Sequence, residues 1–153
     1  MNLDKLREEL AEDEGCKYEI YLDHLGLPTF GIGHLITKND PEYGKDVGTV
    51  IEQGRVQSAF NLDIAVTIED CHRLYKDFDE LPEEAQLIIA NMMFNLGYPR
   101  LSKFKGMKAG VDSRNWSDAA DEMVDSRWYT QVPNRARRLV DRMRGLKELQ
   151  NDK

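Results

Sequence analysis

Asp13-Glu14-Gly15-Cys16-Lys17-Tyr18-Glu19-Ile20-Tyr21-Leu22-Asp23-His24-Leu25-Gly26-Leu27-Pro28-Thr29-Phe30-Gly31-Ile32-Gly33-His34 is the stretch on which the fold turns. Just upstream, Leu3, Leu6 and Leu10 recur at helical spacing, and Asn2 suits an N-cap. Gly15 suits the position just beyond a helix C-terminus, where a left-handed backbone costs little. The spacing therefore predicts a first helix ending at Glu14. A carboxyl there faces the negative end of the helix dipole, which disfavours its ionisation by roughly 0.3–1 kcal/mol. That suits an acid that must hold its proton better than it suits a structural ion.

From Cys16 the period changes to two. Tyr18, Ile20 and Leu22 fall on one face of a strand, and Lys17, Glu19, Tyr21 and Asp23 on the other. His24–Pro28 reads as a five-residue hairpin loop leading into a second strand, Thr29–His34. This register sets Asp23 opposite Thr29, Leu22 opposite Phe30, Tyr21 opposite Gly31 and Ile20 opposite Ile32. The first of these pairs places a hydroxyl beside a carboxylate, an arrangement able to position a water molecule. Gly31 and Gly33, at alternate positions, suggest that something approaches the backbone closely; a bulge, or the chain packing tightly on itself, is the plainer alternative. Two carboxyls in different environments, Glu14 and Asp23, are what glycosidic bond cleavage needs, one protonated and one ionised.

Further along, residues 38–50 read as a loop with a short strand around Thr49-Val50-Ile51, followed by a long helix over about 52–72. Pro82 suits a first helical turn. The apolar segment Ala85–Leu96 has the character of a central core helix. Shorter helices fit about 101–110 and 116–125, the latter opening after Asn115, and a last one runs from Pro133 to about Leu149. The expected architecture is α+β and mostly helical.

A chain of 153 residues suits one domain or two small lobes, and 41% hydrophobic with 32% charged residues excludes a disordered tail. No apolar run approaches the roughly 18–20 residues of a membrane span, and the mixed charges at the N-terminus do not form a signal peptide. Cys16 and Cys71 belong to no paired motif and read as buried reduced thiols. His24, His34 and His72 lack zinc spacing, so no metal site is expected. Residues 127–147 hold seven bases (Arg127, Arg135, Arg137, Arg138, Arg142, Arg144, Lys147) against Asp141, a local charge of +6 that leaves −13 of the net −7 elsewhere. Such asymmetry fits either an anionic partner or a basic helix neutralising the acidic part of the same chain.

Four stretches together resemble the phage-type lysozymes, those of the T-even phages above all. They are Glu14 and Asp23 with eight residues between them, Thr29-x-Gly31-Ile32-Gly33-His34, Asn91-Met92-x-Phe94, and Ser126-Arg127-Trp128-Tyr129 leading to Pro133-Asn134-Arg135-Ala136. The resemblance implies a lysozyme-like fold: a small hairpin-bearing lobe of about 14–51, a linking helix of about 52–72, and a larger helical lobe of about 1–13 and 73–153, with a cleft between the lobes. It implies a muramidase that cuts the β-1,4 bond between N-acetylmuramic acid and N-acetylglucosamine with inversion. In that reading Glu14 is the general acid, Asp23 the base and oxocarbenium stabiliser, and Thr29 orients the water. By position, Arg135 matches an arginine pairing with Glu14, His34 and Asp63 match a structural ion pair, and Leu35 and Phe94 match residues lining sugar subsites.

The chain departs from the family where Met107 and Glu122 replace a serine and an asparagine along the cleft, and where Asn95 replaces a longer amide. The implied protein is a cofactor-free monomer acting on peptidoglycan glycan strands. It would be made in a host cytoplasm and act on the wall after release, with no nucleic acid bound and no membrane insertion. Three rivals are a catalytically silent wall-binding module, a nucleic-acid binder using the basic C-terminal segment, and a lytic transglycosylase. The retained Glu14 and Asp23, the net charge of −7, and Asp23 with Thr29 argue against them in turn.

Overall fold

The computed structural model describes residues 1–151, with side chains described as far as Leu146. The chain divides into two compact units, Leu3–Ile68 and Met1–Asn2 together with the chain from Glu69 onward.

The first unit opens with α1 (Leu3–Glu14), which buries Leu6 and Leu10 but leaves Leu3 exposed. Gly15 ends it in the expected way, with φ +72° and its N–H on the Ala11 carbonyl at 2.9 Å. A three-stranded antiparallel sheet follows in the order β1 (Lys17–Leu22), β2 (Pro28–Gly31) and β3 (His34–Leu35).

The hairpin register differs from the expected one by two residues: Tyr21, not Asp23, stands opposite Thr29, and Leu22 stands opposite Pro28. Asp23 causes the shift. Its Oδ1 accepts the N–H groups of both Leu25 and Leu27 at 2.9 Å, and its own carbonyl accepts the Gly26 N–H at 2.9 Å. An aspartate that captures the backbone ahead of it starts a turn rather than extending a ladder. The loop is therefore 23–27, and the pairings of Leu22 with Phe30, Tyr21 with Gly31 and Ile20 with Ile32 do not occur.

A second correction concerns the strand expected over Thr29–His34. It breaks at Gly31-Ile32-Gly33, and β3 folds back so that Phe30 faces His34 and Thr29 faces Leu35. Both glycines have φ +65°, a conformation that disfavours other residues. Of the apolar face expected on β1, only Ile20 is buried; Tyr18 and Leu22 are about half exposed, at 48% and 53%. Ile20 instead joins Phe30, Ile36, Ile51, Val56 and Ala59 in a small core, with Ile32 against its edge. Thr49–Ile51 forms no full strand: a single bridge joins Val50 to Glu19.

The long helix α2 (Gln53–Leu74) runs from this unit into the second. There, after a 3-10 turn at Phe78–Glu80, come α3 (Glu83–Leu96), α4 (Tyr98–Leu101), α5 (Lys105–Asp112), α6 (Trp116–Val124), α7 (Arg127–Gln131) and α8 (Pro133–Asn151). Pro82 caps α3, whose residues from Ala85 through Met93 are all buried, as a core helix requires. Asn115 caps α6 by accepting the Asp118 N–H at 3.2 Å. The short α4 and α7 carry too little periodicity to be read from sequence. Ser126 starts α7 by accepting the Tyr129 N–H at 3.3 Å.

Cys71 is buried, and burial pushes its thiol well above the usual range; Cys16, contrary to expectation, is exposed, and both are free thiols. Among the described residues no helix is long and apolar enough to cross a membrane, and no group of three or more His, Cys, Asp or Glu is placed to hold a metal ion.

Candidate active site

Glu14, Asp23 and Thr29 all lie in the first unit, at the end of α1 and on the β1–β2 hairpin. Thr29 is buried; Glu14 and Asp23 are partly exposed. Although Asp23 and Thr29 are not opposite each other, the backbone of Leu27 joins them. Its N–H donates to Asp23 Oδ1, and its carbonyl accepts both the Asp23 N–H at 3.0 Å and the Thr29 hydroxyl at 2.9 Å. The Thr29 proton is thus committed to a carbonyl, which leaves the hydroxyl oxygen as an acceptor toward any further partner. One Asp23 oxygen is likewise held by two backbone N–H groups, which fixes the direction of the other.

Glu14 meets the same hairpin at Gly33. A Cβ at that glycine would stand 2.4 Å from Glu14 Oε2 and 2.8 Å from its carboxyl carbon. The close contact at both glycines is thus the plainer alternative, the chain packing tightly on itself. At Gly33 the approaching group is the candidate acid, while at Gly31 it is the Val56 side chain, 2.9 Å from where a Cβ would lie. The charges of both carboxyls reach Tyr21: burial raises its phenol above the usual range, and Glu14 and Asp23 raise it further. Leu35, paired with Thr29 across β2 and β3, presents an exposed apolar side chain next to this group.

A network behind the turn holds it in place. His34, buried at the start of β3, has Nδ1 2.7 Å from Asp63 of α2 and Nε2 2.9 Å from Asp40. The expected pair of His34 with Asp63 is present, and Asp40, which the sequence did not single out, is a second partner. Asp40 also accepts the Thr37 N–H at 2.8 Å and an Arg55 N–H at 3.1 Å, and Arg55 binds Glu42 through two nitrogens at 2.8 and 3.0 Å. The Phe30 ring lies 4.8 Å from the imidazole and 5.3 Å from the Arg55 guanidinium. Residues 38–50 were legible as a loop, but nothing in their spacing tied Asp40 to His34.

Burial opposes charge on His34, but hydrogen bonds and the charges of Asp63 and then Asp40 outweigh it and raise the imidazole above its ordinary value. Burial also opposes charge on Asp40, yet the Thr37 N–H, His34 and Arg55 together lower it. The folded His34 value lies above the unfolded one, so its stabilisation is complete below about pH 6.5 and disappears as pH rises through the folded value. For Asp40 the order reverses: its contribution is complete above about pH 3.9 and is lost as pH falls through the lowered value. Urea midpoints measured from pH 3 to 9 should therefore be highest between about pH 4 and 6.5 and decline on both sides. A His34→Asn variant should lose the alkaline decline; if it persists unchanged, His34 is not its source.

In the second unit the remaining motif residues hold helices together. Arg135 is buried and donates from Nε to Asn91 Oδ1 at 2.8 Å, and the Trp128 indole donates to Asn95 Oδ1 at 2.8 Å. Asn91-Met92-x-Phe94, Ser126-Arg127-Trp128-Tyr129 and Pro133-Asn134-Arg135-Ala136 thus join α3, α7 and α8. Phe94 is half-buried on α3. Met107 is fully buried in α5 and lines no surface, contrary to expectation, while Glu122 is exposed with its carboxyl against Gly106. Two bases of the C-terminal segment have acidic partners within the unit, Arg142 with Glu84 and Arg144 with Asp121, which favours internal neutralisation for part of that charge. Lys147 lies outside the described side chains.

The sequence is similar to those of several known proteins. The phage lysozyme family matches residues 11–147, and the chain belongs to that family. A probable T4-type lysozyme 2 of Dictyostelium discoideum is 34% identical over 154 residues, covering 88% of this chain and 91% of the relative. The pre-baseplate central spike protein Gp5 of Enterobacteria phage T4 is 26% identical over 88% of this chain and 27% of its own length. A peptidoglycan hydrolase, gp36 of Pseudomonas phage phiKMV, is 27% identical over 90% of this chain and 15% of its own length. The mostly helical architecture with its small antiparallel sheet is that of a lysozyme-like α+β fold.

Proposed function

We propose that this chain hydrolyses peptidoglycan as a muramidase, cutting the β-1,4 bond between N-acetylmuramic acid and N-acetylglucosamine in the course of bacterial wall lysis. The observation that carries the proposal is the joining of Asp23 and Thr29 through the backbone of Leu27, on the same hairpin that meets Glu14 at Gly33. Glu14 protonates the leaving glycosidic oxygen. A water held by Thr29 and Asp23 donates one hydrogen to the hydroxyl oxygen and one to the free carboxylate oxygen. Its lone pair is then left for the anomeric carbon, and Asp23 takes the proton as the bond forms. The carboxylate also stabilises the oxocarbenium-like centre.

Leu35 and Phe94 are assigned to the sugar subsites, and Arg135 to support of the acid, by family resemblance. The same resemblance supports a small lobe of about 14–51, a linking helix of about 52–72 and a helical lobe of the remainder. The protein acts as a cofactor-free monomer, made in a host cytoplasm and reaching the wall after release.

A water between base and sugar requires carboxyls about 6.5–9.5 Å apart and gives inversion. Proton NMR of the first product from a defined glycan should therefore show the α-anomer before mutarotation. A β-anomer appearing first would assign Asp23 a covalent role. Mass spectrometry of digested walls tests the activity itself: reducing muropeptides support hydrolysis, and anhydro products would replace it with a transglycosylase reaction.

A further inference from the structure

Both ring nitrogens of His34 face carboxylate oxygens at hydrogen-bonding distance, Asp63 on one side and Asp40 on the other. A neutral imidazole has only one N–H, so its bare nitrogen would confront a carboxylate lone pair; only the imidazolium satisfies both partners. Asp40 is held in turn by the Thr37 N–H and by Arg55 Nη2, which together with Nε also donates to Glu42. The charged groups facing His34 are thus Asp63 and Arg55 from α2 and Asp40 and Glu42 from the loop after β3.

This network ends on the turn that receives Glu14. β3 begins at His34, directly after Gly33, and α2 contacts the turn at three places: Val56 against Gly31, Asp63 on the imidazole, and Arg55 through Asp40. Release of the imidazole would let Gly33 move, and the carboxyl within van der Waals reach of Gly33 would move with it. We propose that Asp40, clamped by Arg55, is a positioning residue: it holds the imidazolium of His34 and, through it, the Gly31–Gly33 turn against which the Glu14 carboxyl is seated. The proposal rests on the reading of Glu14 as the acid, but the seating of Glu14 can be observed without turnover.

The test uses the full chain with Asp40→Asn, which keeps an acceptor for Thr37 and removes the charge, and with Arg55→Gln, which removes the neighbouring cation and leaves Asp40 charged. Loss of an opposite charge at this distance lowers a histidine's titration midpoint by about 1–3 pH units, whereas loss of a like charge does not lower it. In NMR titrations of the ring, His34 should titrate lower in Asp40→Asn and at the wild-type value or higher in Arg55→Gln. General loosening of the fold would lower it in both. The seating of Glu14 is read from the nuclear Overhauser contact between its Hγ protons and Gly33 Hα, since a Cβ at Gly33 would lie 3.1 Å from Glu14 Cγ.

That contact should persist in wild type through neutral pH and fade in Asp40→Asn above the lowered His34 midpoint, with circular dichroism unchanged. The alkaline limb of wall hydrolysis should move to lower pH by the same amount, in kcat rather than KM. An unmoved His34 midpoint would overturn the proposal. So would a contact that persists after His34 has lost its proton. If the wild-type chain hydrolyses no wall, the muramidase reading falls, and the two NMR measurements still decide whether Asp40 seats the Glu14 carboxyl.

Discussion

Glu14→Gln is expected to remove turnover while the protein stays folded. The substitution keeps the shape of the side chain and the close approach to Gly33 but leaves an amide that cannot give a proton to the leaving oxygen. General acid catalysis contributes about 10²–10⁴-fold, so the rate should fall by at least that range if the hairpin is built around this proton. Binding of a short glycan should survive, because amide and carboxyl fill the same space. The informative comparison is kcat against KM on a soluble oligosaccharide, with circular dichroism as the fold control. Turnover within threefold of wild type would remove Glu14 from the chemistry, and with it the assignment of roles on the hairpin.

Much of the helical framework was legible because its signals are local. Gly15 ends α1, Pro82 and Asn115 start α3 and α6, and the apolar run from Ala85 marks a helix buried on all sides. The three candidate residues stood out in the sequence as residue types at a spacing, and they fall within residues 11–147 that the family matches. How they are arranged was not legible there.

The hairpin register depended on whether Asp23 would extend a ladder or cap a turn. Alternation of apolar residues cannot decide this, because a shift of two residues leaves every side chain on its nominal face. The competition is settled by the two N–H groups that Asp23 captures. The network around His34 lay further out of reach. Asp40, Glu42 and Arg55 come together only because the loop after β3 returns to the first turn of α2, and no periodicity records that return. The paired glycines left two readings open, and the fold decides for the chain packing on itself, through Glu14 at Gly33 and Val56 at Gly31.

Gly33→Ala should be the most damaging of the small substitutions, and for two separable reasons. The residue has φ +65°, so any side chain is strained there, by roughly 1–2 kcal/mol. In a chain of this size that lowers Tm by about 2–8 °C. The added methyl would also overlap Glu14 Oε2, at 2.4 Å, and so the carboxyl must leave its seat. A catalytic group displaced by about 1 Å costs on the order of 10²-fold in rate. Gly48→Ala separates the two effects: Gly48 has φ +93° and nothing within 4 Å of an added Cβ, so it carries the backbone strain without the collision. Both variants should melt earlier than wild type, and only Gly33→Ala should lose about 10²-fold in kcat. Comparable kcat in the two, measured below both melting temperatures, would mean that the contact between Gly33 and Glu14 has no part in setting the position of the acid.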